Sequence, residues 1–90
     1  MSVKINIPSY LQPFSGGQDV VEVTGNTTGD CLLSLNKQFP DMGNKIFNKG
    51  GELIDYVSIY VNGEFVNTDE LTKPVHDGDE LHVFYLLGGG

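Results

Sequence analysis

Asp77-Gly78-Asp79-Glu80-Leu81-His82-Val83-Phe84-Tyr85-Leu86-Leu87-Gly88-Gly89-Gly90 is the stretch on which the reading of this chain turns. Asp-Gly-Asp is turn chemistry, because glycine takes positive φ without steric cost and aspartates bond nearby backbone N–H groups. Leu81 to Leu86 then reads as a strand, with Leu81, Val83 and Tyr85 on one side and His82, Phe84 and Leu86 on the other. Three glycines follow. Glycine loses more backbone entropy on ordering than any other residue, so this end neither extends the strand nor packs. The expectation is a folded domain over residues 1–87 and a flexible glycine tail over residues 88–90 that presents the carboxylate of Gly90. Chain ends fray by default. A tail without side chains is also suited to threading a narrow channel in an enzyme that acts on that carboxylate, and the remaining sequence separates the two readings.

Outward from this stretch, Tyr56 to Val61 alternates, with Val57, Ile59 and Val61 on one face and Tyr56, Ser58 and Tyr60 on the other. Asn62-Gly63 is a strong hairpin signal, since both residues tolerate positive φ, and Glu64 to Asn67 is the return strand. Leu71 and Val75, in the connector, are placed to plug the core. At the other end of the chain, Val3, Ile5 and Ile7 mark an opening strand that Pro8 stops. Residues 9–17 read as a loop in which Tyr10, Leu11 and Phe14 cover the core edge, with Gly16-Gly17 turning the chain into a second strand at Val21 and Val23. Thr27 is placed to cap a helix, with Asp30 near its positive end. Cys31, Leu32, Leu35 and Phe39 share one helical face, and Pro40 closes the helix. Residues 41–54 read as loop, with a short helical turn at Ile46 and Phe47.

The order strand, strand, helix, strand, strand, strand predicts an α+β fold in two layers, one main helix covering one face of a mixed four- to five-stranded sheet. The opposite face is then solvated or used. With Leu81 and Val83 toward the helix, Phe84 and Leu86 stay exposed, and Phe65 joins them as a docking patch beside the tail.

Composition narrows the function. Ninety residues suit one domain. No apolar run approaches the roughly 20 residues needed to cross a bilayer. The single Cys31 has no internal partner for a disulfide, and the N-terminus lacks a secretory signal; both fit a reducing cytoplasm. Residues 1–51 balance four lysines against four acids, whereas residues 52–80 hold eight acids against Lys73 alone, which accounts for the net charge of −7. No arginine occurs, so the phosphate clamps of a nucleic-acid binder are missing. The acidic segment reads as a solvated surface that also steers basic partners. His76 and His82 have no metal-ligand spacing with Cys31 or with each other. Cys31 reads as a core residue, and Asp77 and Asp79 read as turn residues rather than a catalytic pair.

Taken together, Val3–Ile7, Thr27-Thr28-Gly29-Asp30, Val61-Asn62, Asp77-Gly78-Asp79-Glu80 and the terminal Gly89-Gly90 resemble the ubiquitin-like sulfur-carrier proteins of the MoaD/ThiS type. That family has a β-grasp fold. Ile7-Pro8-Ser9-Tyr10-Leu11 and Gly16-Gly17-Gln18 look more like the branch used in cysteine biosynthesis than those feeding molybdopterin or thiamine synthesis. Tyr85-Leu86 stand where the family often has prolines.

The resemblance implies a carrier rather than an enzyme, with no bound cofactor and no metal. A ubiquitin-activating-enzyme-like adenylyltransferase would use ATP to adenylate Gly90. A sulfur donor would displace AMP to leave a thiocarboxylate, and a sulfur-accepting synthase would take the sulfur. Phe65, Phe84, Leu86, Leu87, Gly88 and Gly89 would bind the partners. Two other readings share this tail: a protein modifier joined through Gly90 to lysines of other proteins, and a small subunit whose tail stays inserted in a synthase.

Overall fold

The computed structural model describes residues 2–85. Apolar alternation builds five strands: β1 (Ser2–Asn6), β2 (Val20–Thr24), β3 (Val57–Val61), β4 (Glu64–Val66) and β5 (Glu80–Tyr85). They form one sheet in the order β2-β1-β5-β3-β4. β1 and β5 run parallel at its centre, and the other pairs are antiparallel. Two helices, α1 (Thr28–Gln38) and α2 (Pro40–Ile46), are joined at Phe39. This is the expected β-grasp arrangement.

Parity decides which side of each strand is buried. Val3, Ile5, Val21, Val23, Val57, Ile59, Leu81 and Val83 bury themselves with Cys31, Leu32 and Leu35 of α1 and Met42 and Ile46 of α2. Val75 is buried as expected, and Leu71 packs against the cluster. Gly25 makes a close approach possible: a Cβ there would stand 2.9 Å from Asp30 Cβ and from the Cys31 nitrogen.

The start of α1 is satisfied by three separate acceptors. Thr27 Oγ1 accepts from the Asp30 N–H at 3.1 Å. Carbonyls of the connector take the next two donors, Lys73 from Thr28 at 3.1 Å and Leu71 from Gly29 at 2.8 Å. Helix N-termini leave such donors without intrahelical partners, so these bonds tie the connector to the helix.

Four local readings are corrected. Pro40 does not simply end a helix; it opens α2, since proline's fixed φ and missing N–H suit a first helical position. Residues 41–54 are therefore not all loop. Ser9–Phe14 is a 3₁₀ helix rather than a loop. Within it Leu11 is buried and Phe14 packs on the core, with Lys45 Nζ 5.1 Å from the Phe14 ring centroid, but Tyr10 is 61% exposed and is not part of the buried cluster. β4 stops at Val66, one residue early, and Asn67 instead caps a 3₁₀ turn at Thr68–Glu70.

Candidate functional site

The face of the sheet turned away from the helices carries the residues of opposite parity. Asn62-Gly63 makes a two-residue turn with φ of 50° and 87°, and a turn of that length leaves one register available. Tyr60 therefore faces Phe65. On the other side of β3, Tyr60 faces His82 and Ser58 faces Phe84. His82 faces Asn6, and Asn6 faces Val20. A single row, Val20–Asn6–His82–Tyr60–Phe65, thus crosses the whole sheet, with Phe84 next to it toward the end of β5.

The rings pack edge to face. Tyr60 stands 5.6 Å from Phe65 and 5.2 Å from Phe84, both T-shaped. His82 stacks on Phe84 at 5.9 Å with 8° between the planes. Aromatic pairs at such separations attract beyond their area burial. Phe65 is nevertheless 51% exposed and Phe84 45% exposed. Asn6 Nδ2 donates to the Leu81 carbonyl at 3.2 Å and lies 3.5 Å from His82 Nε2. Ser58, Tyr60, Gly63, His82 and Phe84 line a groove of about 490 Å³.

The adjoining row is charged. Lys4 lies between Glu22 of β2 and Glu80 of β5. Glu80 Oε2 is 3.9 Å from His82 Nε2.

The Asp77–Glu80 motif fixes the strand that carries half of this face. Asp79 accepts from the His76 backbone N–H at 2.8 Å and from the Asn62 amide at 3.0 Å. Asn62 Oδ1 in turn accepts from the Glu80 N–H at 3.0 Å. Asp77 takes the Ser2 N–H at 2.9 Å, and Gly78, at φ 90°, donates to the Ser2 carbonyl at 2.9 Å. The His76 N–H and then the Asn62 amide hold the Asp79 carboxyl below its ordinary range. These aspartates are turn residues, as expected, and they lock the β3–β4 hairpin to the start of β5.

Other titratable groups are structural. Glu70 accepts from the Asn67 N–H at 3.0 Å and pairs with Lys73 at 2.7 Å; both lower its pKa, the backbone bond first. Cys31 is buried in the core, and burial, followed by nearby Asp30, pushes its thiol up. That is the opposite of what a reactive cysteine needs. No group of three metal-ligating side chains occurs among the described residues, and no helix among them is long and apolar enough to cross a membrane.

The structure brings Phe65 and Phe84 together, with Tyr60 between them. Leu86, Leu87, Gly88, Gly89 and Gly90, the other expected site residues, lie outside the described residues, as does the side chain of Tyr85. Sequence reasoning missed Tyr60, His82, Ser58 and Asn6 as parts of one surface. The signal for Tyr60 was present in the Asn62-Gly63 turn, which dictates its pairing with Phe65.

The strand bearing Phe84 and His82 is also the one that leads toward the glycines. The ThiS family model matches residues 5–90. The chain belongs to the ThiS family. Sulfur carrier protein CysO of Mycobacterium tuberculosis is 31% identical over 93 residues, covering 100% of both chains. Small archaeal modifier protein 1 of Haloferax volcanii is 37% identical over 82 residues, covering 89% of this chain and 91% of that one. The crystal structure of the Amycolatopsis orientalis BexX/CysO complex contains a chain that superposes with a TM-score of 0.88 at 28% identity, covering 98% of this chain and 99% of that one. As a ThiS-family member of the cysteine-biosynthesis branch, the protein is a ubiquitin-like sulfur carrier rather than a catalyst.

Proposed function

We propose that Gly90 is the reactive end of this carrier and that the aromatic row is the surface its activating enzyme holds. The need for activation is elementary: a carboxylate is a poor electrophile. In the proposed reaction, a carboxylate oxygen of Gly90 attacks the α-phosphorus of ATP and pyrophosphate leaves, giving an acyl-adenylate. A hydrosulfide-level donor then attacks the acyl carbon and AMP leaves, so a thiocarboxylate replaces the carboxylate. Its ionised sulfur is a soft nucleophile for an accepting synthase. ATP belongs to the partner adenylyltransferase in this reading. Gly88 and Gly89 serve because any Cβ narrows passage through a tunnel, and Leu86 and Leu87 offer the partner further apolar side chains.

The observation that carries the reading is the uncovered row on the strand leading to the tail. Five residues follow Tyr85, and a fully extended chain of that length spans at most about 17 Å. An enzyme acting on Gly90 therefore works close to the Phe84 end of the row. Delivery into cysteine synthesis is favoured by the full-length similarity to the mycobacterial carriers. A second reading, conjugation of Gly90 to lysines of other proteins, is favoured by the similarity to an archaeal modifier.

The test is ATP–pyrophosphate exchange by the cognate activating enzyme. The full chain supports exchange, and deletion of Gly90 abolishes it. Exchange that persists without Gly90 sinks the proposal.

A further inference from the structure

The groove between Tyr60 and Phe84 has features that a purely apolar docking patch does not need. Its walls are ring faces and edges set at 88° to each other. Ser58 and Tyr60, both hydroxyl-bearing, line the groove, and neither hydroxyl has a hydrogen-bond partner among the described residues. Glu80 lies on the same side of β5, two residues before His82, with its side chain 53% exposed. Lys4, its neighbour across the sheet, makes no ion pair with it among the described residues. Glu80 belongs to a charged row that runs away from the groove through Lys4 to Glu22 on β2, two carboxylates against one ammonium.

Aromatic faces, unpaired acceptors and a nearby carboxylate together match one side-chain type. A guanidinium is planar, stacks on aromatic rings and carries five N–H donors for carboxylate and hydroxyl oxygens. We propose that this groove receives an arginine side chain of the enzyme that activates Gly90, an inference that rests on the function proposed above. The occupant comes from outside the chain. This sequence contains no arginine, and its net charge of −7 sets two copies against each other. The same charge draws in a basic partner surface. The short reach from Tyr85 to Gly90 puts the enzyme's surface over this end of the sheet. Stacked and ion-paired there, the arginine fixes the carrier's orientation while the tail enters the active site.

The test measures affinity of the full chain for the activating enzyme at low and high salt, for the parent and for Tyr60→Leu, Phe84→Leu and Glu80→Gln. Each leucine keeps apolar volume but removes a ring. Each single change is expected to weaken binding by about three- to tenfold, and Glu80→Gln also flattens the salt dependence. Thermal unfolding of each variant separates lost contacts from lost fold. A second measurement needs no variant: NMR shifts of the parent chain titrated with Nα-acetyl-argininamide, and separately with Nα-acetyl-leucinamide. The arginine probe should move Ser58, Tyr60, His82 and Phe84 resonances more than the leucine probe does. Leucine variants that bind like the parent, an unchanged salt slope in Glu80→Gln, or equal response to both probes overturns the proposal. Each of those results leaves Gly90-dependent exchange intact, whereas loss of exchange in the parent chain refutes the function on which this inference rests.

Discussion

The two faces of this sheet are made by the same strands and do opposite things. Toward the helices, the residues are aliphatic and almost wholly buried: Val3, Ile5, Leu81, Val83 and Ile59 each expose 2% or less. On the other side, one residue along in each strand, stand Asn6, His82, Phe84 and Tyr60, with two of the largest apolar side chains in the chain, Phe65 and Phe84, about half exposed. Folding alone does not require rings there. Because successive residues alternate sides, the buried layer and the face proposed for recognition are separated by a single step in sequence, and substitutions on either face are expected to move one property while sparing the other.

The largest expected effect tests that separation. Leu32→Ala, in the buried layer, should cost about 2–5 kcal/mol in urea denaturation. Phe84→Ala should cost about 1 kcal/mol or less, as exposed positions do, yet weaken binding to the activating enzyme by about tenfold or more, as a central aromatic anchor does. Comparable stability losses at the two sites, or unchanged binding by Phe84→Ala, would break the comparison.

Gly25→Ala sharpens it from the buried side. The new Cβ meets backbone and Cβ atoms at the start of α1 at 2.9 Å, and overpacking of this kind costs about 1–3 kcal/mol. Denaturation midpoints report the loss, while Gly90-dependent exchange by the folded fraction should be unaltered.

A smaller effect is pH-dependent. The native fold holds the Asp79 carboxyl below its ordinary value of 3.8, so over that range the unfolded chain binds more protons than the native one. The contribution is present above pH 4 or so and is lost as pH falls through the unfolded value toward the native one. Asp79→Asn should therefore show a shallower fall in stability below that pH than the parent, measured by denaturation across an acid series. Equal slopes would mean that the carboxylate does not lock the two turns.

Much of the buried side was legible because its signals are local. Thr27 caps the helix as its hydroxyl predicts, Asn62-Gly63 turns the hairpin, and Gly78 takes the positive φ that Asp-Gly-Asp announces. Pro40 misled because proline suits both the residue after one helix and the first residue of the next. Ile7, Tyr10, Leu11 and Phe14 do fall at helical spacing, but Pro8, Pro13 and the Gly16-Gly17 pair in so short a segment read as loop, and the element is a single six-residue 3₁₀ helix with Pro13 inside it. The open face was only half legible. Phe65 and Phe84 could be assigned by parity, but the row joining Asn6 to His82 depends on parallel pairing of β1 with β5, strands some seventy-five residues apart. No local pattern encodes such a register. The reading of Gly88, Gly89 and Gly90 rests on chemistry alone, on what these residues lack, and they lie outside the described residues.

The most direct test of the whole account is the intact mass of the chain after incubation with its activating enzyme, ATP and a sulfide source. Exchange of one oxygen for sulfur, mapped by fragmentation to Gly90, is the predicted result. A chain that emerges with its mass unchanged, or with sulfur on Cys31 instead, contradicts it.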